Sequence, residues 1–174
     1  MQDDNIKRQL EHHHKDCYGW ALHCCNQDKE MAYDVVQASY LKMLEHQDTF
    51  REQSTFKTWA FRIIKNSAID TFRNRKREAM IMQVETALAD TGYDGKLGDD
   101  FDQKLREQFF SRALSQLSDR QRQILQLVFY HDMSLNQSAE VLNISQGSVR
   151  KHYDRAKKIL ADWFQKNGII NYND

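Results

Sequence analysis

The chain has 174 residues, 25 of them Lys or Arg and 25 Asp or Glu, so its formal net charge is zero, and it contains no proline. That length allows one domain or two small ones. No apolar run approaches the thickness of a bilayer, and the polar start lacks the basic, apolar and cleavage segments of a secretion signal, so the expectation is a cytoplasmic protein with no membrane insertion.

Residues from about Ile6 to Cys25 have helical potential, with Leu10, Cys17, Ala21 and Cys24 near one face. The thiols are odd in number (Cys17, Cys24, Cys25), which suits a reducing compartment better than a disulfide framework. His12, His13, His14 and His23 lie nearby, but no spacing resembles a closed zinc site, so neither metal nor cofactor is expected. A polar break at Asn26-Gln27-Asp28 precedes a second helix from Glu30 to His46, whose apolar stripe is Ala32, Val36, Tyr40 and Met43. Residues 47 to 55 interrupt the period. A long basic helix then starts at Phe56, with Phe56, Ala60, Ile63 and Ser67 on one side and Trp59 and Ile64 flanking them; Trp59 reads as core. Arg62, Asn66, Asp70, Arg73 and Arg77 populate another face, and residues 57 to 77 carry seven Lys or Arg against one Asp, a net of +6. Such a run suits phosphates, although a solvated helix end has the same composition.

Residues 83 to 106 are acidic and Gly-containing with little apolar periodicity, and they read as an interdomain linker. Helical pattern resumes near Leu105. Ser118 with Gln121, and Ser134 with Gln137, have the spacing of capping boxes. Leu135 to Leu160 then holds two short helical patterns joined at Asn143-Ile144-Ser145, the arrangement of a helix-turn-helix whose second helix lies in a major groove. Val149, Tyr153, Ala156, Leu160 and Trp163 mark its apolar face, while residues 146 to 158 carry five Lys or Arg against one Asp. Gly147, in its first turn, is expected to admit a neighbouring backbone. Amphipathic basic helices also bind membranes and partner proteins, so charge alone leaves alternatives open. The expected fold is all-α: two small helical domains, 1–82 and 107–174, joined by a flexible linker at 83–106, the second a helix-turn-helix.

Two stretches in this order, Phe56 to Arg77 and Ala113 to Leu160, strongly resemble the extracytoplasmic-function sigma factors of the bacterial sigma-70 family. The resemblance covers about residues 7 to 78 and 109 to 164. It implies a non-catalytic subunit that binds core RNA polymerase, single-stranded non-template DNA at a −10 element and double-stranded DNA at a −35 element. Polymerase binding would fall on Ala32 to Met43, where Asp34 and Gln37 keep an Asp-x-x-Gln element beside Tyr40 and Leu41; Met31, Tyr33 and Ala38 depart from the more acidic family pattern. The −10 contacts would come from Arg62, Lys65, Asn66, Asp70, Arg73 and Arg77, with the 46–55 connection near an extruded base. The −35 contacts would come from Gln146, Ser148, Arg150, Lys151, His152 and Arg155, with Lys157 and Lys158 on phosphates. An anti-sigma partner is implied by analogy only. Ser138, where the family's bracing helix commonly carries an apolar residue, puts a hydroxyl in need of a partner. The competing reading is a stand-alone helix-turn-helix regulator with an N-terminal interaction domain.

Overall fold

The computed structural model describes residues 2–50, 54–82 and 109–167. Every regular element among them is helical. The single helix expected from Ile6 to Cys25 is two, α1 (Gln2–His12) and α2 (His14–Cys24), with His13 leaving the helical conformation at φ −98°, ψ 8°. The break has no Gly or Pro to announce it. Asn26 and Gln27 take positive φ (53° and 67°), reversing the chain, and the Asp28 carboxylate then accepts the Met31 N–H at 2.9 Å to start α3 (Lys29–Glu45). A single 3-10 turn, Gln47–Thr49, follows, and Thr55 Oγ1 accepts the Thr58 N–H near the start of α4 (Phe56–Met82).

The second cluster contains α5, described over residues 109–115, and α6 (Asp119–Leu125), which runs into a π-turn at Gln126–Tyr130. It continues with α7 (Leu135–Leu142) and α8 (Gln146–Lys166). Both expected capping boxes form, Ser118 with Gln121 and Ser134 with Gln137, each satisfying two otherwise orphaned N–H groups. Asn143 sits in the left-handed region (φ 52°, ψ 52°) to end α7, and the Ser145 hydroxyl accepts the Ser148 N–H to start α8. That left-handed residue gives the tight turn between the two helices. The acidic stretch 83–106 lies outside the described residues.

The clusters do not stand apart. One apolar core runs from Ile6, Trp20, Val35 and Met43 through Phe61 and Ile64 of α4 to Ile124, Leu127, Val141, Leu142 and Val149. Helix α4 therefore buries two sides. Phe56, Trp59, Ala60, Ile64 and Ser67 are buried as the period predicts, and Phe61 and Ala68, off the expected stripe, are enclosed as well. Ile63, expected at the centre of the apolar stripe, is only half-buried. Polar bridges reinforce the junction: Lys57 Nζ donates to the His131 carbonyl at 3.0 Å and Lys65 Nζ to the Leu142 carbonyl at 3.3 Å. The Trp20 indole donates to the Phe61 carbonyl at 3.0 Å and the two rings stack at 5.6 Å, fixing α2 against α4 from within.

Candidate nucleic-acid interface

Helix α8 separates packing from presentation. Val149 and Ala156 are fully buried, and Tyr153, Leu160 and Trp163 are half-buried on the same side. Arg150, Lys151, Arg155, Lys157 and Lys158 are all exposed, as is Gln146; Ser148 and His152 are half-buried at the flanks. Lys157 Nζ lies 5.2 Å from the Tyr153 ring centre, which holds one cation along the helix. Gly147 departs from expectation: a Cβ there would meet nothing within 4 Å, so no protein backbone approaches it. It opens instead on a small recess lined by Leu135, Asn136, Gln146 and Arg150. The bracing helix resolves the Ser138 question, since its buried hydroxyl donates to the Ser134 carbonyl at 3.0 Å.

On α4, Arg62, Asn66, Asp70, Arg73 and Arg77 are exposed and recur at helical spacing. Lys65 is not equally available. It is half-buried at the junction on the Leu142 carbonyl, where burial and then the Arg120 charge pull its amine below the ordinary lysine value. Asp70 faces Lys42, Nζ to Oδ2 3.8 Å, and Lys42 also donates to Ser67 Oγ at 3.1 Å. Beside these groups lies an open cavity of about 370 Å³ lined by Lys42, His46, Trp59, Arg62, Ile63, Asn66 and Ser67. Trp59 is buried and gives this cavity an apolar wall, in keeping with its core role. His46 opens the 46–55 connection expected near an extruded base, whereas Lys42 escaped the sequence reading because it belongs to the last turn of α3 and is brought to α4 only by the fold.

On α3, Asp34, Gln37 and Leu41 form one exposed stripe, and Leu41 is 62% exposed, a large apolar side chain left in solvent. Tyr33 joins them. Tyr40 turns away: it is half-buried, its hydroxyl is 3.0 Å from His14 Nδ1, and burial followed by the neighbouring Cys17 pushes its phenol upward.

Arg62 of α4 and Gln146 at the start of α8 share one groove. The groove, of about 550 Å³, is lined by Arg62 together with Asn136, Glu140, Asn143, Ser145 and Gln146 of the helix-turn-helix. Among the described residues, no three His, Cys, Asp or Glu side chains gather as a metal would require, and no helix is long and apolar enough to cross a membrane.

Comparison with known proteins agrees with this arrangement. Residues 10–78 match Sigma-70 region 2 and residues 113–160 match Sigma-70, region 4. The RNA polymerase sigma factor SigV of Bacillus subtilis (strain 168) is 32% identical over 149 residues, covering 85% of this chain and 84% of SigV. The ECF RNA polymerase sigma factor SigX of the same organism is 28% identical over 153 residues, covering 85% and 77%. Two solved structures share the fold: the sigma factor RpoE in complex with the anti-sigma factor NepR from Bartonella quintana (TM-score 0.68, 23% identity, 92% of this chain and 97% of that one), and CnrH in complex with the cytosolic domain of CnrY (TM-score 0.61, 19% identity, 92% and 88%). The chain therefore belongs to the extracytoplasmic-function sigma factors of the sigma-70 family, non-catalytic proteins that bind core RNA polymerase and recognise promoters.

Proposed function

We propose that residues 1–82 form the module that binds core polymerase and recognises and melts a −10 element, and that residues 107–174 form the module that reads a −35 element. The observation that carries this reading is the pair of separate exposed basic surfaces, Arg62–Arg77 on α4 and Arg150–Lys158 on α8, each backed by a buried apolar face. In the α8 surface, Arg150, Lys151 and Arg155 address base edges, with Gln146, Ser148 and His152 at the flanks, and Lys157 and Lys158 address phosphates. The open space over Gly147 favours close approach of the duplex.

The cavity beside Arg62 and Asn66 suits an unstacked base of the non-template strand: Trp59 and Ile63 supply apolar contact and the surrounding polar groups hydrogen-bond its edge. Asp34, Gln37 and Leu41, with Tyr33, are the surface we assign to polymerase, and Tyr40 supports it from beneath. Elements centred at −10 and −35 are 25 base pairs apart by definition, about 85 Å at about 3.4 Å per pair. Arg62 and Gln146 line one groove here, so the clusters must separate before both elements are held. Of the two solved structures that share the fold, RpoE is in complex with the anti-sigma factor NepR and CnrH with the cytosolic domain of CnrY, which supports an anti-sigma partner for this chain too.

Run-off transcription from a randomised promoter library, with core polymerase and the purified chain together and apart, tests the reading. Enrichment of a two-element promoter only in the combined reaction is expected. A folded chain that enriches duplex sites by itself, and starts no transcripts with active core enzyme, would return the assignment to a stand-alone regulator.

A further inference from the structure

At the junction of the two clusters the imidazole of His131 is completely enclosed, its side chain 0% exposed. It is held edge-on by the rings of Phe61 (4.7 Å), Trp20 (6.1 Å) and Tyr130 (4.9 Å). Neither ring nitrogen has a hydrogen-bond partner. The nearest carboxylate oxygen, Asp16 Oδ1, is 3.8 Å from Nδ1, too far for a hydrogen bond. Asp16 is in any case engaged by Lys57 at 2.8 Å, and the same lysine donates to the His131 carbonyl. Charge at this spot is already balanced, one cation against one anion.

A second imidazole, His23 of α2, stacks on Trp20 at 5.5 Å and feels Arg122 and Asp119 of α6 across the junction. His13, 3.9 Å from Asp16, borders the same region, and Lys65 and Arg120 face each other across α4 and α6. A neutral imidazole without a partner is tolerated among aromatic rings, whereas an imidazolium there has lost its hydration, and the one counter-charge near it, Asp16 at 3.8 Å, is already engaged by Lys57.

We propose that this contact is a proton-operated latch: while His131 is neutral the C-terminal cluster stays docked on α2 and α4, and protonation of His131, seconded by His23, drives the clusters apart and frees Arg62 and Gln146 from their common groove. Burial first, then the Lys57 charge, holds His131 down at about 4 against an ordinary 6.5, with Asp16 opposing; burial, then Arg122, does the same for His23, also to about 4. Burial pushes Asp16 upward, but the Lys57 hydrogen bond and charge outweigh it and keep its carboxyl below the ordinary 3.8, so it stays ionised throughout. The sign follows from the depressed bases. Docking is at full strength above pH 6.5 and is lost as pH falls from 6.5 toward 4. Between pH 7.5 and 5.5 each histidine weakens the docking equilibrium by about tenfold, the two together by up to about a hundredfold.

The test uses the whole chain without polymerase or DNA, so its failure leaves the promoter reading untouched. Small-angle scattering at pH 7.5 is expected to give a radius of gyration near the ~16 Å of a compact chain of this length. It should rise reversibly toward pH 5 with helical circular dichroism unchanged. His131→Phe keeps the ring contacts and removes the proton, and is expected to remain compact at pH 5 or to open at clearly lower pH. NMR titration of the wild-type His131 ring, which needs no variant, should find it neutral well below pH 6. An unchanged radius down to pH 5, a His131 that titrates near 6.5 in the compact chain, or identical pH profiles for wild type and His131→Phe would each overturn the latch.

Discussion

Leu142→Ala probes whether the two helical clusters share one core or merely touch. Leu142 is 2% exposed, ends the bracing helix, and sits in the apolar core that includes Phe61 and Ile64 of α4; its carbonyl takes the Lys65 amine. Truncating a leucine so enclosed leaves a cavity and costs about 2–5 kcal/mol, and ~3 kcal/mol is a working value. At about 2.1 cal/mol/K per residue the packed residues 2–50, 54–82 and 109–167 unfold together with an entropy of about 290 cal/mol/K, so a single cooperative transition should fall by about 10 °C. If residues 109–167 unfold alone, about 120 cal/mol/K applies and only their transition moves, by about 24 °C. Differential scanning calorimetry at pH 7.5 separates the cases. One peak displaced by about 10 °C is expected. Two resolved peaks, with only one displaced, would refute the argument that α4 and α7 belong to a common core.

Arg150→Ala should weaken binding to upstream duplex by about 1–3 kcal/mol and relax preference at one base pair, whereas Lys158→Ala should weaken all sequences alike and lower the salt slope by about 0.9; titrations at several salt concentrations distinguish them. Asn66→Ala and Arg62→Ala should reduce open-complex formation, read by permanganate reactivity of unpaired thymines, while leaving upstream protection in place; equal loss of both would contradict the proposed division of labour. Asn143→Val places a β-branched residue at φ 52° and should cost about 1–2 kcal/mol, against little change for Asn143→Gly, measured by urea denaturation. Burial pushes the thiols of Cys17 and Cys25 up to about 11 from an ordinary 9.0, so at pH 8 they should react with a thiol reagent about a hundredfold more slowly in the folded chain than in the unfolded one. The stability these neutral thiols contribute is present below pH 9 and is lost as pH rises toward 11.

What the sequence discloses here is local. The serine caps at 118, 134 and 145 act on N–H groups three residues away, so their signal and their effect share one short window, and all three form. The apolar face of α8 is equally legible because one side of that helix packs and the other does not. Helix α4 defeats the same method: a single stripe is what a 3.6-residue period reports, yet Phe61, off that stripe, is buried as well, between Trp20 of α2 and His131 of the second cluster. Lys42 reaches the cavity beside Arg62 by tertiary approach and leaves no pattern near Phe56–Arg77. Gly147 misleads in the other direction, since absence of a side chain looks the same in sequence whether the space is filled by protein or left open.

The shared core sets a cost on the function the family assigns. A ligand that needs separated clusters binds with its intrinsic affinity divided by the fraction of chains already open, so each contact that steadies the docked form also weakens apparent binding to polymerase and promoter. Phe61, Ile64 and Leu142 act in both senses, as do the Lys57 and Lys65 bridges, which end on backbone carbonyls rather than on an opposing charge. A bridge to a carbonyl keeps no specific side-chain partner in deficit when it breaks, because water replaces the acceptor. His131 differs from these. Its protonation penalises the docked form, so its contribution, like that of His23, falls away within an ordinary pH range. The exposed Leu41 stripe on α3 lies away from the junction contacts, so a partner that captures it can bind before separation, while the free energy that separation requires comes from contacts that only the open form makes.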